Sequence, residues 1–225
     1  MSAPDPRAAA LDEAAQSTSG ARLADLASHE DAEVRAAVAG NPRVTPETID
    51  ELAYDEDWRV RAAAAVNRAT GSFSLGELTR DDDVRVRERV AVHPGLSVKD
   101  LERVLRDDDW RVRAAAAGNP AAPDRALDQA SEDEHWQVRA SVAANPVCSM
   151  VLLRTLATDD DWRVRAAVAV NASTPSEVLA ALIVDGDVGV REAAQRPGAG
   201  EDWSVSDDRH TAPRTFVEGD PPPTG

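Results

Sequence analysis

Four tryptophans recur in one register. Trp58, Trp110, Trp136 and Trp162 each stand two residues before the valine of a Val-Arg pair. Arg59, Arg111 and Arg163 lie beside three of them. Trp offers a large flat face and Arg a planar charged fork, and the two dominate binding hot spots. At this spacing they suit recognition of an extended partner by a strip of rings and guanidinium groups. The same rings would also serve as packing between successive structural units. The residue four positions on, which shares a helical face, bears on the choice. It is Ala after every Trp (Ala62, Ala114, Ala140, Ala166), whereas Val84 and Val188, in the same register, are followed by Glu88 and Glu192. A position that accepts Glu is not deep core. The rings are therefore expected over small side chains at a boundary, partly wet. Trp58, Trp110, Trp136, Trp162, Arg59, Arg111 and Arg163 are the candidate protein-binding residues.

Acidic runs precede them: Asp55-Glu56-Asp57, Asp81-Asp82-Asp83, Asp107-Asp108-Asp109 and Asp159-Asp160-Asp161, with diluted copies at Asp133-Glu134-His135 and Asp185-Gly186-Asp187. Clustered carboxylates suit Ca²⁺, but they also cap helix starts and neutralise neighbouring Arg. No EF-hand spacing is present, so capping is the expectation and no metal is assigned. His29, His93, His135 and His210 share no ligand-like spacing, and Cys148 has no sequence-evident base. There is no glycine-rich phosphate loop. No cofactor and no catalytic residue are expected.

Bulk charge narrows the partners. The chain carries 41 acidic and 25 basic residues, a formal charge of −16. Phosphate contacts need Lys and Arg in excess, so nucleic acid and anionic membrane are not expected. The partner expected is another protein or a peptide. A single Cys forbids an intrachain disulfide and a cysteine-based metal cluster. Met1–Arg7 contains no apolar segment of a signal peptide. The longest strongly apolar run, Val178 to Val184, is too short to span a bilayer. The expected location is cytoplasmic.

These residues are positioned by a repeat. Val-Arg recurs every 26 residues, at Val34-Arg35, Val60-Arg61, Val86-Arg87, Val112-Arg113, Val138-Arg139, Val164-Arg165 and Val190-Arg191. A fixed period in this range marks a solenoid, in which no unit buries its apolar face alone. In the unit from Asp55, Asp57 is a suitable N-cap for an Ala-rich helix over about Trp58–Val66. Asn67 follows, and other copies have Asn41-Pro42, Asn119-Pro120 and Asn145-Pro146. Asn tolerates the left-handed conformation that ends helices, and Pro cannot continue one.

A second helix begins at Thr45-Pro46-Glu47 in the copy after Asn41, with Ile49, Leu52 and Ala53 on its apolar face. Leu75/Leu78, Leu101/Val104, Leu127/Ala130, Leu153/Leu156 and Leu179/Leu182 hold the same register, as do Leu23 and Leu26 earlier. Thr174 with Glu177 has capping-box spacing, and Ser97 with Asp100 has it with a shorter acid.

An Asp six residues before the repeat Arg on an Ala-rich helix is similar to the HEAT repeat: Asp55/Arg61, Asp81/Arg87, Asp107/Arg113, Asp133/Arg139, Asp159/Arg165 and Asp185/Arg191, with His29 departing in the first copy. These pairs read as an internal ladder, each Arg bonding turn carbonyls and an Asp within or between repeats. The fuller pattern Asp-Trp-Arg-Val-Arg-Ala-Ala, Asn-Pro, Thr-Pro, Leu, Leu-Ala resembles the leucine-rich-repeat-variant family. The resemblance implies an all-α, right-handed superhelix of about seven two-helix repeats, HEAT/armadillo-like, that acts as a non-catalytic binding scaffold. Some members carry an N-terminal cysteine-ligated iron–sulfur cluster, but residues 1–18 hold no Cys, so that cofactor does not carry over.

The chain divides into an N-terminal extension over 1–18, partly disordered or helical, a repeat array over 19–197, and an acidic Pro/Gly-rich tail over 198–225 expected to be disordered. Trp203 and Phe216 in the tail would form a short linear motif or fold back on the last repeat. A HEAT-like DNA glycosylase or a HEAT-like lyase or accessory enzyme is the alternative. The first is disfavoured by the acidic charge and both by the missing catalytic constellation. The third unit, with Val84, Glu88, Arg89 and His93, departs from pattern as a hot spot or, more simply, a drifted copy.

Overall fold

The computed structural model describes residues 5–196, and the tail with Trp203 and Phe216 lies outside them. The described residues form fifteen helices, α1 (Pro6–Gln16) to α15 (Val188–Ala194), and no strand. Odd-numbered helices pack on one another in chain order, and each even-numbered helix packs against the odd helices before and after it. The result is an all-α solenoid of the expected two-helix unit. The helix expected over Trp58–Val66 has those bounds as α5, with Asp57 as N-cap accepting from the Arg59 N–H. Thr45 caps α4 (Pro46–Leu52) with proline at its start.

The core is a column of small and branched side chains. Val34, Val60, Val86, Val112, Val138, Val164 and Val190 are fully buried, as are the Leu/Ile positions Leu23, Ile49, Leu101 and Leu153 of the second helix. The Ala-rich odd helices approach closely because Ala side chains leave room for it; Ala39, Ala65, Ala91, Ala117, Ala143 and Ala169 are completely inaccessible. Close approach without voids is what makes such a core cohesive.

Two polar ladders lock the stack. In the first, each Arg donates to the backbone carbonyls five and six residues before it and to a carboxylate twenty residues after it. Arg113 is typical, bonding the Asp107 and Asp108 carbonyls and, through Nε and Nη2, both Asp133 oxygens. The Asp six residues upstream thus contributes its carbonyl, and its carboxylate serves the preceding Arg. Six such rungs run from Arg35–Asp55 to Arg165–Asp185. This polarity explains His29. The residue in the ladder-Arg register before it is Ala9, so no guanidinium needs a carboxylate there. The His29 carbonyl still accepts from Arg35, and its Nδ1 accepts the Asp31 N–H as Asp55 accepts that of Asp57.

The second ladder corrects the expected part of Asn. The Asn41, Asn67, Asn145 and Asn171 caps are extended, with φ between −64° and −76°, not left-handed. Each Asn acts through its side chain. Asn145 Nδ2 donates to the carbonyls of Ala117 and Asn119 in the preceding unit, and Oδ1 accepts the Val147 N–H. Asn67, Asn119 and Asn171 repeat the pattern. Three carbonyl or amide groups that the turn would otherwise bury without partners are satisfied by one side chain.

His93 stands in this register and keeps the rung. Its Nδ1 accepts the Gly95 N–H at 3.0 Å, which leaves Nε2 to donate to the Asn67 carbonyl at 3.2 Å. The third unit has therefore drifted in composition while keeping this bond.

Two local expectations differ. Thr174 does not cap with Glu177: α14 (Ser176–Leu182) starts after Pro175 without a side-chain cap, and the Thr174 hydroxyl donates to the Val168 carbonyl instead. Helical stacking also begins ahead of Ser19. Helix α1 packs on α3 (Ala32–Gly40), Ala14 is fully buried, and its carbonyl receives the Asn41 amide.

Candidate functional site

The N-termini of the odd helices form one edge. Each places the Trp-register residue first, so the rings of Trp58, Trp110, Trp136 and Trp162 start α5, α9 (Trp110–Ala117), α11 (Trp136–Ala144) and α13 (Trp162–Val170); the cap before them is Asp57, Asp109 and Asp161 in three, and His135, without a side-chain cap bond, in α11. All four rings are half-buried, and the Ala four residues on is buried in each case. The boundary position expected from the Trp/Ala and Val/Glu pairing is the one observed.

The rings are brought into a semi-continuous strip. Trp110 stacks on His135, with centroids 5.9 Å apart and planes 15° apart. The Arg163 guanidinium lies 4.7 Å from the Trp136 ring centre and 5.0 Å from that of Trp162, bridging the two. Arg111 lies 5.0 Å from Trp110 and Arg59 5.3 Å from Trp58. Trp58 stands apart because Val84 occupies the next Trp position. Arg59 and Arg111 are exposed, and each reaches back to its own cap, Asp57 or Asp109. Arg163 is half-buried and pairs with Asp161.

Arg85 was not among the candidate residues, yet it approaches a ring most closely, 3.4 Å above Trp58. It also pairs with Asp83 at 2.6 Å. Its register, one period after Arg59, was the available signal. The missing Trp in that unit hid it, because its ring lies in the unit before. Arg85 holds the Asp83 carboxyl at about 2, chiefly through this hydrogen-bonded pairing.

Behind the strip lies the carboxylate ladder. Burial alone raises Asp55, Asp133 and Asp159, but the bonds from Arg35, Arg113 and Arg139 and from turn N–H groups outweigh it and hold all three below the usual carboxylate range. In Asp185 the bond from Arg165 is the largest influence and the direction is the same. These acids are thus occupied. The middle residues of the acidic runs point outward: the side chains of Glu56 and Glu134 are 91% and 81% exposed. Among the described residues no group of three or more His, Cys, Asp or Glu is placed to hold a metal ion. Cys148 is buried, and burial first, then Asp128, pushes its thiol up to about 11. A thiol so far from ionisation is a poor nucleophile at neutral pH. None of the described helices is long and apolar enough to cross a membrane.

The fold and its edge define a helical repeat scaffold. Residues 162–187, one 26-residue unit, match the model of the leucine rich repeat variant family. A solved leucine-rich repeat variant with a novel repetitive structural motif is 28% identical, with 83% of this chain and 79% of that one covered and a TM-score of 0.57. A protein of Escherichia coli is 17% identical over 86% of this chain and 74% of its own, with a TM-score of 0.42, and an engineered protein is 20% identical over 77% and 66%, with a TM-score of 0.43. No curated protein matches the chain. One unit of the array thus matches the leucine-rich-repeat-variant model, and the array as a whole is similar to a solved repeat protein of that kind.

Proposed function

We propose that this chain is a non-catalytic scaffold that binds a protein or an extended peptide along the Trp edge. The observation that carries the proposal is the strip itself. The rings at the starts of α9, α11 and α13 are half-buried, packed against the core while the Ala beneath each is buried, which supports a reading in which the part of each ring left at the boundary meets a partner. Arg163 lies over both the Trp136 and Trp162 rings, and His135 stacks on Trp110. Trp58 with Arg85 extends it by a second, separate platform. Exposed Arg59 and Arg111 and the outward carboxylates of Glu56 and Glu134 give the edge alternating charge, which suits polar, sequence-selective contacts.

The acidic balance of the chain favours a protein partner over nucleic acid. Enzymatic alternatives need a reactive group, and the buried, ladder-bound acids and the high thiol of Cys148 offer little to either. The test is selection of peptides from a displayed random library against the full chain, followed by titration of the selected peptides. Trp110→Ala and Trp136→Ala are expected to weaken binding at least about tenfold, a hot-spot loss, while the far-UV circular dichroism melt stays cooperative. Folded variants that bind as well as the parent would move the binding surface elsewhere.

A further inference from the structure

Three of the four edge rings are met from the next unit by the residue twenty-seven positions on. Arg85 lies 3.4 Å from the Trp58 ring centre and Arg163 lies 4.7 Å from that of Trp136. Gly189 packs so near Trp162 that a Cβ on it would stand 3.0 Å from the ring carbon Cζ3. The corresponding residue for Trp110 is Gln137, which carries no charge. Among the described residues, the guanidinium near Trp110 is that of Arg111, from its own unit.

An own-unit arginine does not exclude a second one. Trp58 holds Arg59 at 5.3 Å and Arg85 at 3.4 Å together. Trp110 holds Arg111 at 5.0 Å and lacks the second. His135 does reach Trp110, but near-parallel rings with centroids 5.9 Å apart form an offset stack that overlaps at the margins. The ring centre, where Arg85 sits on Trp58, is not where His135 lies. The unit of α11 has also exchanged both members of the usual ion pair. Arg59, Arg85, Arg111 and Arg163 pair with their own caps Asp57, Asp83, Asp109 and Asp161. The same two positions in α11 are Gln137 and His135. Negative charge remains beside them: Asp108 and Glu134, in the turns before α9 and α11, are exposed.

We infer that Trp110 is where the partner supplies the cation: an arginine of the bound peptide lays its guanidinium on the Trp110 ring, as Arg85 does on Trp58, with Glu134 and Asp108 accepting from its N–H groups. This rests on the Trp edge being the binding surface, and it names what the partner brings to that surface. A planar guanidinium stacks on an indole face and keeps donors at its rim for a carboxylate, which a compact ammonium does not. The surplus of acid in the chain, 41 residues to 25, draws a basic peptide toward the edge. Trp58, Trp136 and Trp162 are met by the chain's own residues, so the open ring at Trp110 sets the register in which the peptide lies.

The test uses peptides selected from the displayed random library against the full chain. Each arginine is replaced in turn by citrulline, which keeps the shape of the side chain and removes its charge. One such replacement is expected to weaken binding at least about fivefold. Gln137→Arg, which gives Trp110 the arginine that Trp58 and Trp136 already have, should weaken the unmodified peptide by a similar factor. It should also erase the citrulline effect, because both changes act on one contact. A far-UV circular dichroism melt checks that Gln137→Arg is folded, and the citrulline series on the parent protein needs no variant. A selection that returns no edge-binding peptide overturns the binding edge and this inference together. Edge-binding peptides without arginine, arginines that citrulline replaces without loss, or a citrulline effect undiminished in folded Gln137→Arg overturn this inference alone and leave the edge as a binding surface.

Discussion

Arg113 and Asp133 are twenty residues apart in the chain and joined by two hydrogen bonds, Nε to Oδ2 at 2.6 Å and Nη2 to Oδ1 at 3.0 Å. The pair ties α9 to the turn before α11, and the same guanidinium fastens two carbonyls of its own turn. A planar fork with five donors serves both tasks at once, which Lys would not.

Arg113→Ala is expected to destabilise the protein by roughly 3 kcal/mol, because it leaves the buried Asp133 carboxylate and two carbonyls short of donors. Arg111→Ala, whose side chain is exposed and paired only with its own cap, should cost under about 0.5 kcal/mol. Urea melts of the two variants distinguish them, and equal losses would refute the division into ladder and edge arginines.

His93 supplies a pH-dependent rung. Burial, chiefly, lowers its pKa below the ordinary histidine value; the Asn67 carbonyl opposes this and Arg68 adds to it. Protonation would also displace the Gly95 N–H from Nδ1. The unfolded chain takes up that proton near pH ~6.5, before the folded one does. The contribution of His93 is therefore full above that pH and declines as pH falls below it. His93→Asn should keep the rung, match the parent within about 1 kcal/mol at pH 8, and lose the part of the decline between pH 6.5 and 5 that His93 causes. A variant with the same slope as the parent would show that the imidazole is not its source.

The ladder acids set a second, lower window. Asp55, Asp133, Asp159 and Asp185 are all held below the ordinary carboxylate range in the folded state. Their contribution is present above the unfolded value of about 3.9 and is lost as pH falls through the lowered folded values. Melting temperature should drop steeply below about pH 4, and less steeply in Arg113→Ala, where one rung is already gone. An equally steep drop in that variant would contradict the assignment.

The solenoid was legible because its cause is local and repeated: an Asp cap, an Ala-rich run and a Leu pair at fixed spacing. The boundary position of the Trp rings was legible for the same reason, through Ala and Glu four residues on. What escaped was long-range. Nothing near Asn145 reveals that its amide reaches carbonyls 26 and 28 residues earlier, and a local rule assigned it a left-handed turn. The direction of the Arg ladder was hidden likewise, since an Asp lies both six residues before and twenty after each interior Arg. Helix α1 lacks the Val-Arg mark, and its place in the stack rests on Ala10, Leu11 and Ala14 against the core and on the Asn41 amide at the Ala14 carbonyl.

The edge itself is tested most directly by an exchange footprint of the chain with a selected peptide bound. Protection should appear at the first turns of α9, α11 and α13, and Trp110→Ala should erase it without changing exchange in the buried helix centres. The even-numbered helices also expose large apolar side chains, with Phe73 and Val151 exposed by 76% and 71%. Protection confined to the helices that carry Phe73, Met150 and Val151, with the Trp edge unchanged, would contradict the account.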